Sequence, residues 1–367
     1  MKKFAYYLPQ FHEIPENNEW WGKGFTEWTN VKKALPLFKK HIQPKHPYGD
    51  NYYSLENIDT LQWQANLAHK YHIDGMIFYH YYFCGKKLLQ KPAELLLEHH
   101  DIQMPFFFCW ANHSWIKSWE GNKELLIEQT YGDKKDWEKH FQYLIKFFKD
   151  DRYFKQDNKP LFMIFRSNFK FKNDYLAYLD QRCKDYGFNG LCGIEIVETY
   201  NKRVIEKFRY NCAKCTDYIH IREPGAMTEN YMKNVFFIYE GLRNKIGRIM
   251  SLIPDSNFKY IRKYNGNIMY SLALLKKISK KKIIRGLCFE WDNSPRHKER
   301  GYIITPPTKK LFFRYMNSIK SSPFVFINAW NEWCEGMMLE PTVEFGYKYL
   351  EWIQEWSEMN ENRANRI

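Results

Sequence analysis

Short apolar runs recur along the chain, most of them bounded by Pro, Gly or Asp. Continuous runs of about four to eight apolar residues are typical of strands that are buried on both faces, as in a parallel sheet. Eight such runs predict β-strands, at Phe4–Phe11, Gly75–Tyr82, Pro105–Ala111, Pro160–Arg166, Gly190–Val197, Thr216–Ile221, Gly286–Asp292 and Pro323–Trp330.

Stretches with helical periodicity lie between these runs. Two of them carry a clear apolar stripe, formed by Ile58, Leu61, Ala65 and Ala68 and then by Trp137, Phe141, Leu144 and Phe148. Strand followed by helix, eight times over, predicts an α/β protein with a (β/α)8 TIM-type barrel, which we expect to form a single domain over residues 1–367. A doubly wound open sheet is disfavoured, because no glycine-rich phosphate fingerprint follows any strand.

Two connections are longer than an ideal barrel needs. The first, His12 to Tyr53, is rich in Trp, Pro, Asn and Gly, and we expect a long loop there at the active face. The second is predicted as an extended helical insertion at about 225–282, before the seventh strand. Much of the excess positive charge lies in it, at Arg243, Lys245, Arg248, Lys259, Arg262, Lys263, Lys276, Lys277, Lys280, Lys281 and Lys282.

Charge and composition narrow the class of partner. Hydrophobic residues make up 44% and charged residues 27%, which excludes disordered and fibrous chains. The net charge of +14 favours acidic partners such as anionic glycans, membrane headgroups or nucleic acid. The basic insertion could rest on an anionic membrane or hold an acidic glycan; the alternative is a solvated helix face. Nucleic acid ranks last, because no recognition motif accompanies the charge.

The eight cysteines lie mostly inside apolar runs, which predicts buried, reduced thiols. No secretory segment follows Met1 and no apolar run reaches membrane-spanning length, so we expect a cytoplasmic protein. Cys212 and Cys215 have the spacing of a metal or redox pair, but no second pair or suitable histidine cluster accompanies them. Nothing in the sequence implies a bound metal or an organic cofactor.

The strongest candidate for chemistry follows the last predicted strand. There the chain passes through Trp330 and Asn331 to two glutamates, Glu332 and Glu335, with Trp333 between them. The carboxyl end of a barrel strand faces the active site, and two acids in different environments can divide the roles of proton donor and base. Cleavage of a glycosidic bond needs such a carboxyl pair. The alternative, an exposed loop with two solvated acids, fits poorly with the aromatic residues on both sides.

Polar and aromatic residues also follow other predicted strands. Aromatic faces pack on sugar rings and polar groups satisfy hydroxyls, so this mixture is typical of a carbohydrate cleft. The candidates are Tyr79, His80 and Tyr81; Trp110, Asn112, His113 and Trp115; Glu195 and Glu198; and Trp291, Asp292, Asn293 and Arg296. In the first long loop, Glu27 could bond a substrate hydroxyl or tie the loop down, and we favour the second role.

Four motifs resemble the WbsX-type proteins of bacterial surface-polysaccharide gene clusters over nearly the whole chain. They are Tyr6-Tyr7-Leu8-Pro9-Gln10-Phe11-His12, Trp21-Gly22-Lys23-Gly24-Phe25-Thr26-Glu27-Trp28, Trp291-Asp292-Asn293-Ser294-Pro295-Arg296 and Asn331-Glu332-Trp333-Cys334-Glu335-Gly336. Those proteins are similar to glycoside hydrolase family 99, barrel enzymes that cleave internal α-mannosidic bonds with retention. The candidate substrate-binding residues also include Tyr7, Gln10, His12, Trp21, Trp28, Trp330, Asn331 and Trp333.

The resemblance also implies roles for the two glutamates. Glu332 would deprotonate the sugar 2-hydroxyl, which displaces the leaving group through a 1,2-anhydro intermediate, and Glu335 would be the general acid and later the base. Cys334 stands where family 99 has histidine, which puts a subsite contact and mannose specificity in doubt. The implied substrate is an oligosaccharide or polysaccharide, on a lipid carrier in one version of the hypothesis.

Two further classes of function stay open. WbsX-type proteins are commonly labelled glycosyltransferases, and such an enzyme would build O-antigen or capsule from an activated donor. The sequence has neither a metal-binding Asp-x-Asp nor a glycine-rich phosphate loop for such a donor, so we favour hydrolase or transglycosylase chemistry. The other class is a non-catalytic carbohydrate-binding or scaffold protein.

Overall fold

Eight parallel strands close into a barrel in the computed structural model of the chain. The strands, β1 to β8, are Lys2–Tyr7, Gly75–Phe83, Phe106–Trp110, Lys159–Ile164, Cys192–Val197, Thr216–Ile221, Ile283–Cys288 and Phe324–Asn328. Each strand pairs with the next along the chain, and β8 pairs with β1. The predicted (β/α)8 barrel is therefore confirmed, with strand ends that shift by a few residues.

The structure describes residues 1–117, 124–234, 242, 245–250, 252, 261–276, 278 and 282–364. Helices α1 to α12 are Pro15–Trp21, Glu27–Lys33, Ile58–Lys70, Lys91–Glu98, Lys134–Phe148, Lys172–Asp185, Lys202–Tyr210, Gly225–Met232, Gly266–Leu274, Ser294–His297, Lys309–Ile319 and Lys348–Ala364. Within these ranges no helix combines the length and the apolar character needed to cross a membrane.

Short strands and 3-10 turns lie at the carboxyl ends of the barrel strands and in the connections between them. The short strands are Lys86–Leu88, Trp115–Lys117, Glu124–Ile127, Lys155–Gln156, Arg262–Tyr264, Trp291–Asp292, Tyr302–Ile304, Asn331–Glu332 and Met337–Met338. Single 3-10 turns lie at Tyr48–Asp50, Lys298–Arg300 and Trp333–Glu335. The catalytic candidates Glu332 and Glu335 thus lie in a tight hairpin rather than in an open loop.

The two predicted helical stripes both face the barrel. Leu61, Ala65 and Ala68 of α3 are buried, as are all four stripe residues of α5. Helix α5 begins with a capping box in which the Asp133 carboxylate accepts from the Lys135 amide nitrogen at 2.8 Å. The cap satisfies amides that the first turn of a helix cannot pair internally, so the sequence fixes where this helix begins.

Aromatic side chains fill the barrel interior in two layers. Phe4, Phe107 and Phe326 contact one another with ring centroids 5.2 to 6.3 Å apart. Above them Tyr6 stacks on Tyr79 at 5.4 Å, and its hydroxyl lies 3.1 Å from the sulfur of Met163. This packing fills the barrel axis below Tyr79.

Both long connections differ from their predicted form. The segment His12 to Tyr53 is not one loop, since α1 and α2 lie in it. The insertion is not wholly helical, because Arg262–Tyr264 pairs in parallel with Tyr302–Ile304. Its described helical parts are α8, residues 245–250 and α9. Five of its predicted basic residues lie outside the described residues, namely Arg243, Lys259, Lys277, Lys280 and Lys281.

Candidate active site

A cavity of about 490 Å³ opens at the carboxyl ends of the barrel strands, directly above the Tyr6–Tyr79 layer. We call it the main cavity. It is lined by Leu8, Gln10, Asn17, Trp21, Tyr79, Tyr81, Ala111, His113, Ser114, Trp115, Ile116, Leu126, Phe165, Arg222, Arg296, Glu332 and Glu335. The position is the one at which barrel enzymes bind their substrates, and the volume suits a few sugar residues.

Both candidate catalytic carboxyls lie in this cavity. Burial and the neighbouring charge of Glu335 raise the pKa of Glu332 to about 8. Burial also raises the pKa of Glu335, but the cations of Arg296 and Arg222 oppose that rise. Because the two arginines oppose the rise at Glu335, the proton that the pair shares lies preferentially on Glu332. One protonated and one ionised carboxyl is the combination that glycosidic cleavage needs.

Arg296 is the central cation of the site. Its Nη1 donates to Glu335 Oε1 at 3.0 Å, and its Nη2 contacts Glu27 and lies 4.0 Å from Glu332 Oε2. The three acids surround one guanidinium that is only 14% exposed. A buried charge network of this kind fixes geometry, because removing Arg296 would leave buried carboxylates without a compensating charge. Glu27 is fully buried on Arg296, an arrangement that ties the first connection to the site.

The hairpin that carries the two glutamates is held from its base. The Asn331 side chain accepts from the Leu8 amide nitrogen at 2.7 Å and donates to the Leu8 carbonyl at 3.0 Å, which joins the hairpin to the end of β1. Trp333 Nε1 donates to Glu340 Oε2 at 2.7 Å. Gly336, at φ +62°, closes the turn after Glu335, and a Cβ there would lie 2.9 Å from the Asp292 amide nitrogen.

Nine of the sequence-predicted site residues meet in the main cavity. They are Gln10, Trp21, Tyr79, Tyr81, His113, Trp115, Arg296, Glu332 and Glu335. They come from six separate parts of the chain: the end of β1, the connection that follows it, the ends of β2 and β3, and the segments after β7 and β8. The common placement at strand ends, from which they were predicted, is what brings them together.

Several predicted residues point the other way, from the barrel towards the helix layer. Tyr7 donates to Gln64 of α3 at 2.7 Å, and His80 lies 2.9 Å from His140 of α5. Trp110 donates to the Tyr82 carbonyl at 3.0 Å, and Glu195 pairs with Lys172 at 2.6 Å. Successive side chains in a strand face opposite sides, so in each strand only alternate residues reach the barrel axis. These four residues stabilise the packing of strands against helices.

The remaining predicted residues hold loops together around the cavity. Asp292 accepts from Gln43 Nε2 at 2.7 Å and lies 2.8 Å from His41 Nε2, so it anchors the connection after β1. Asn293 accepts from the Tyr302 amide nitrogen at 2.9 Å. None of this group lines the main cavity as the described residues form it: His12, Glu27, Trp28, Asn112, Trp291, Asp292, Asn293, Trp330, Asn331 and Trp333.

Arg222 is the charged residue of the main cavity that the sequence reasoning missed. It follows β6 directly, where the predicted strand stopped at Ile221. Its Nη1 donates to Glu198 at 2.6 Å, and its guanidinium carbon lies 4.6 Å from the centroid of the Phe165 ring. The signal that could have found it is the one used elsewhere, a charged residue one position past a strand end.

Cys334 does not line the main cavity. Its sulfur lies 3.4 Å from the backbone carbonyl of Glu27, and burial raises the pKa of its thiol well above the usual range. The residue thus packs α2 against the hairpin. Within the described ranges no group of three or more His, Cys, Asp or Glu is placed to hold a metal ion.

Comparison with known proteins places the chain in a family. The family described as glycosyltransferase WbsX matches residues 3–353. A protein named "Uncharacterized protein WxcX" from Xanthomonas campestris pv. campestris is 30% identical over 358 residues, which cover 95% of this chain and 48% of that protein. Its counterpart from a second strain is 29% identical over the same shares. The chain spans about half the length of the curated relatives it matches.

Solved structures share the architecture. The GH99 endo-alpha-mannosidase from Bacteroides thetaiotaomicron superimposes with a TM-score of 0.56 at 12% identity, over 99% of this chain and 98% of that one. A "Glycoside hydrolase-like protein" gives a TM-score of 0.57 at 15% identity, over 97% and 93%. At these identities the likeness establishes the fold, and the activity has to be argued from the site itself.

Proposed function

The chain belongs to the family described as glycosyltransferase WbsX, and we propose that it is a carbohydrate-active enzyme of bacterial surface polysaccharide metabolism. The proposed reaction is retaining glycoside hydrolysis or transglycosylation on O-antigen or capsule oligosaccharide. The observation that carries this proposal is a pair of carboxyls with raised pKa values in one cavity, the buried Glu332 and the partly buried Glu335. Tyr79, Tyr81 and Trp115 around them offer the aromatic faces on which sugar rings pack.

The proposed roles follow the family resemblance: Glu332 is the base for the sugar 2-hydroxyl and Glu335 is the general acid. For these roles to operate, the proton that Glu332 holds in the free protein must pass to Glu335 when substrate binds. Arg296 contacts both carboxyls and can hold whichever of them is ionised. Because both acids lie beside one guanidinium, the proton can pass from Glu332 to Glu335 within the site.

The second candidate is a glycosyltransferase that uses an activated sugar donor, and the family description favours it. A nucleotide donor brings a diphosphate that must be neutralised. Both arginines of the main cavity are already engaged by glutamates, Arg296 by Glu27 and Glu335 and Arg222 by Glu198. This engagement supports the hydrolase or transglycosylase reaction over the transferase.

The deciding experiment incubates the purified protein with the cell's own lipid-linked oligosaccharide, without nucleotide sugar or metal, and follows the products by mass spectrometry. We expect shortened or rearranged glycan, and its loss in the Glu335→Gln variant. Glycan that lengthens only after a nucleotide sugar is added would establish the transferase instead. A glycan that Glu332→Gln and Glu335→Gln process as well as the wild type would remove the carboxyl pair from the mechanism.

We also propose a peripheral contact with anionic membrane at the inner face, through the basic insertion. Its described part combines the exposed apolar residues Ile246, Ile249 and Leu275 with Lys245 and Lys276. Basic and apolar side chains on one surface are typical of segments that bind anionic lipid. Co-sedimentation with vesicles containing phosphatidylglycerol, but not with pure phosphatidylcholine vesicles, is the expected result. Failure to sediment with either kind of vesicle would argue for a solvated face, and equal binding to both would exclude recognition of anionic lipid.

A further inference from the structure

A second cavity of about 450 Å³ lies beside the main cavity, at the carboxyl ends of β4 and β5. Phe165 lines both cavities, so its ring is the wall that they share. The Arg222–Glu198 ion pair bridges the same boundary, since Arg222 lines the main cavity and Glu198 lines the second. Two cavities that share a wall on one face of a barrel can be filled by a single extended ligand.

The walls of the second cavity suit a sugar ring. Phe165 and Phe208 supply aromatic surface, and Asn168 and Asn211 supply amide groups. The hydroxyl of Ser167 is buried and has no hydrogen-bond partner within the described residues. Aromatic faces together with amides and a free hydroxyl are the groups that bind the two faces and the edge of a pyranose.

The charge of the second cavity is positive. Two charged side chains besides Arg166 line it, and each has a partner: Lys172 pairs with Glu195 at 2.6 Å, and Glu198 pairs with Arg222 at 2.6 Å. Arg166 is exposed, and within the described residues it forms no ion pair. Because the other charges are compensated locally, the guanidinium of Arg166 is available to an anion.

Arg166 is also held in place. Asn112, which is fully buried, donates to the Arg166 carbonyl at 2.7 Å and accepts from its amide nitrogen at 2.7 Å. The Arg166 guanidinium carbon lies 5.1 Å from the Phe165 centroid, and that of Arg222 lies 4.6 Å from it. The shared ring thus has one arginine on the side of each cavity, of which only Arg222 is neutralised.

We propose that the second cavity is a glycan subsite for an acidic sugar, whose carboxylate or phosphate substituent pairs with Arg166. The inference rests on the proposed function, because it assumes that one glycan chain occupies the main cavity and continues over Phe165 into the second cavity. It makes the substrate an anionic oligosaccharide of several residues. The carboxylate of a uronic acid and a phosphate substituent share the chemistry that a guanidinium recognises.

The test measures binding of the protein to an array of bacterial surface oligosaccharides in three sets: neutral, uronate-containing and phosphate-substituted. We expect the wild type to bind one or both acidic sets and to prefer them to the neutral set. Arg166→Gln should weaken binding to the acidic set at least tenfold and leave neutral glycans unaffected. The set that loses binding identifies the anionic group.

The matched control is Arg203→Gln, which removes the same charge from an exposed position on α7, outside the cavity. It should change binding less than twofold. Equal losses in the two variants would reduce the effect to general electrostatics and overturn the proposal. A wild type that binds no acidic glycan, or prefers neutral ones, would overturn it as well.

The outcome is independent of whether the catalytic proposal holds. If acidic glycans bind through Arg166 but no reaction depends on Glu332 or Glu335, the subsite stands and the proposed function fails. If glycan is processed in a Glu335-dependent way and Arg166→Gln binds acidic glycans like the wild type, the function stands and the subsite fails. Thermal unfolding of each variant shows that a loss of binding does not come from misfolding.

Discussion

The proton shared by Glu332 and Glu335 sets the pH range in which the site can act. Activity needs one carboxyl protonated and the other ionised, and burial raises the pKa of Glu332 to about 8. As the pH rises past this value both carboxyls ionise, so we expect the rate to fall on the alkaline side near pH 8. Protonation of both gives the acid limb. The pH dependence of kcat/KM on the lipid-linked oligosaccharide measures the two limbs, and a rate that stays constant to pH 10 would contradict the assignment.

Glu335 and Glu332 can be told apart by the leaving group. A general acid is dispensable when the leaving group departs without a proton, whereas the base is needed for every substrate. We therefore expect Glu335→Gln to recover most of the lost rate of the first step on a glycoside with a nitrophenolate leaving group, seen as a burst of nitrophenolate release. The second step, for which Glu335 is the base, should stay slow. Glu332→Gln should lose rate, by a factor of about 100 or more, on both substrates. The reverse pattern would mean that the proton distribution of the free protein, with Glu332 protonated, also gives the catalytic roles.

At the scale of the element, the hairpin that carries the acids depends on one glycine. Gly336 has φ +62°, and a Cβ there would meet the Asp292 amide nitrogen at 2.9 Å. Gly49 has a similar left-handed conformation, φ +68°, but nothing lies within 4 Å of its would-be Cβ. Gly49→Ala should therefore cost only the backbone strain, about 1 kcal/mol, whereas Gly336→Ala should cost more and displace Glu335.

Urea unfolding and glycan turnover of the two alanine variants measure this difference. We expect Gly49→Ala to keep its activity and Gly336→Ala to lose most of it, with a free energy of unfolding lower by about 1–3 kcal/mol than that of Gly49→Ala. If the two variants are equally stable and equally active, the hairpin yields to the new methyl group and Gly336 does not set the position of Glu335.

The strands were predictable from the sequence, but the direction of their side chains was not. An apolar run identifies a strand buried on both faces, as Gly75–Phe83 shows. At such a strand end, successive side chains face the cavity and the helices alternately. Tyr79 and Tyr81 therefore line the cavity, whereas His80 does not. Period-2 alternation is visible only when the two faces differ in polarity, and here aromatic residues occupy both.

The part of the site whose residues are close in sequence was predictable. The contacts between residues that are distant in sequence were not. Glu332 and Glu335 are three residues apart, so their proximity is local. The contact of Arg296 with Glu27 joins residues 269 positions apart, and no periodicity in the chain signals it. Asp292 resembled a substrate ligand for the same reason, because the sequence does not show that His41 and Gln43 already occupy its carboxylate.

At the scale of the whole molecule, buried titratable groups give stability a pH optimum. Burial lowers the pKa of His80 and His220 to about 3, from an ordinary 6.5, and that of His12 and His113 to about 4. Burial acts in the same direction on His140. Below pH 6.5 the unfolded chain binds protons that the folded one excludes, so these groups make stability fall as the pH decreases.

Buried glutamates make stability fall as the pH rises. Burial raises the pKa of Glu332 and Glu223 to about 8 and that of Glu340 to about 7, from an ordinary 4.5. Up to those values the folded chain keeps protons that the unfolded chain has lost, so stability falls as the pH rises through them. Below pH 6.5 the histidines outnumber these glutamates, and above it only the glutamates act. Stability should therefore be greatest between about pH 6 and 7.

Glu332→Gln isolates one glutamate of this balance, because glutamine keeps the neutral form of the side chain at every pH. A group that holds one extra proton in the folded state loses about 1.4 kcal/mol per pH unit, so between pH 6.5 and 8 the variant should lose about 2 kcal/mol less stability than the wild type. Urea unfolding at pH 5.5, 6.5 and 8 measures this slope. Glu56→Gln, at an exposed position, should keep the wild-type slope. If Glu332→Gln follows Glu56→Gln instead, Glu332 is ionised in the free protein at neutral pH, and the proton of the catalytic pair lies elsewhere.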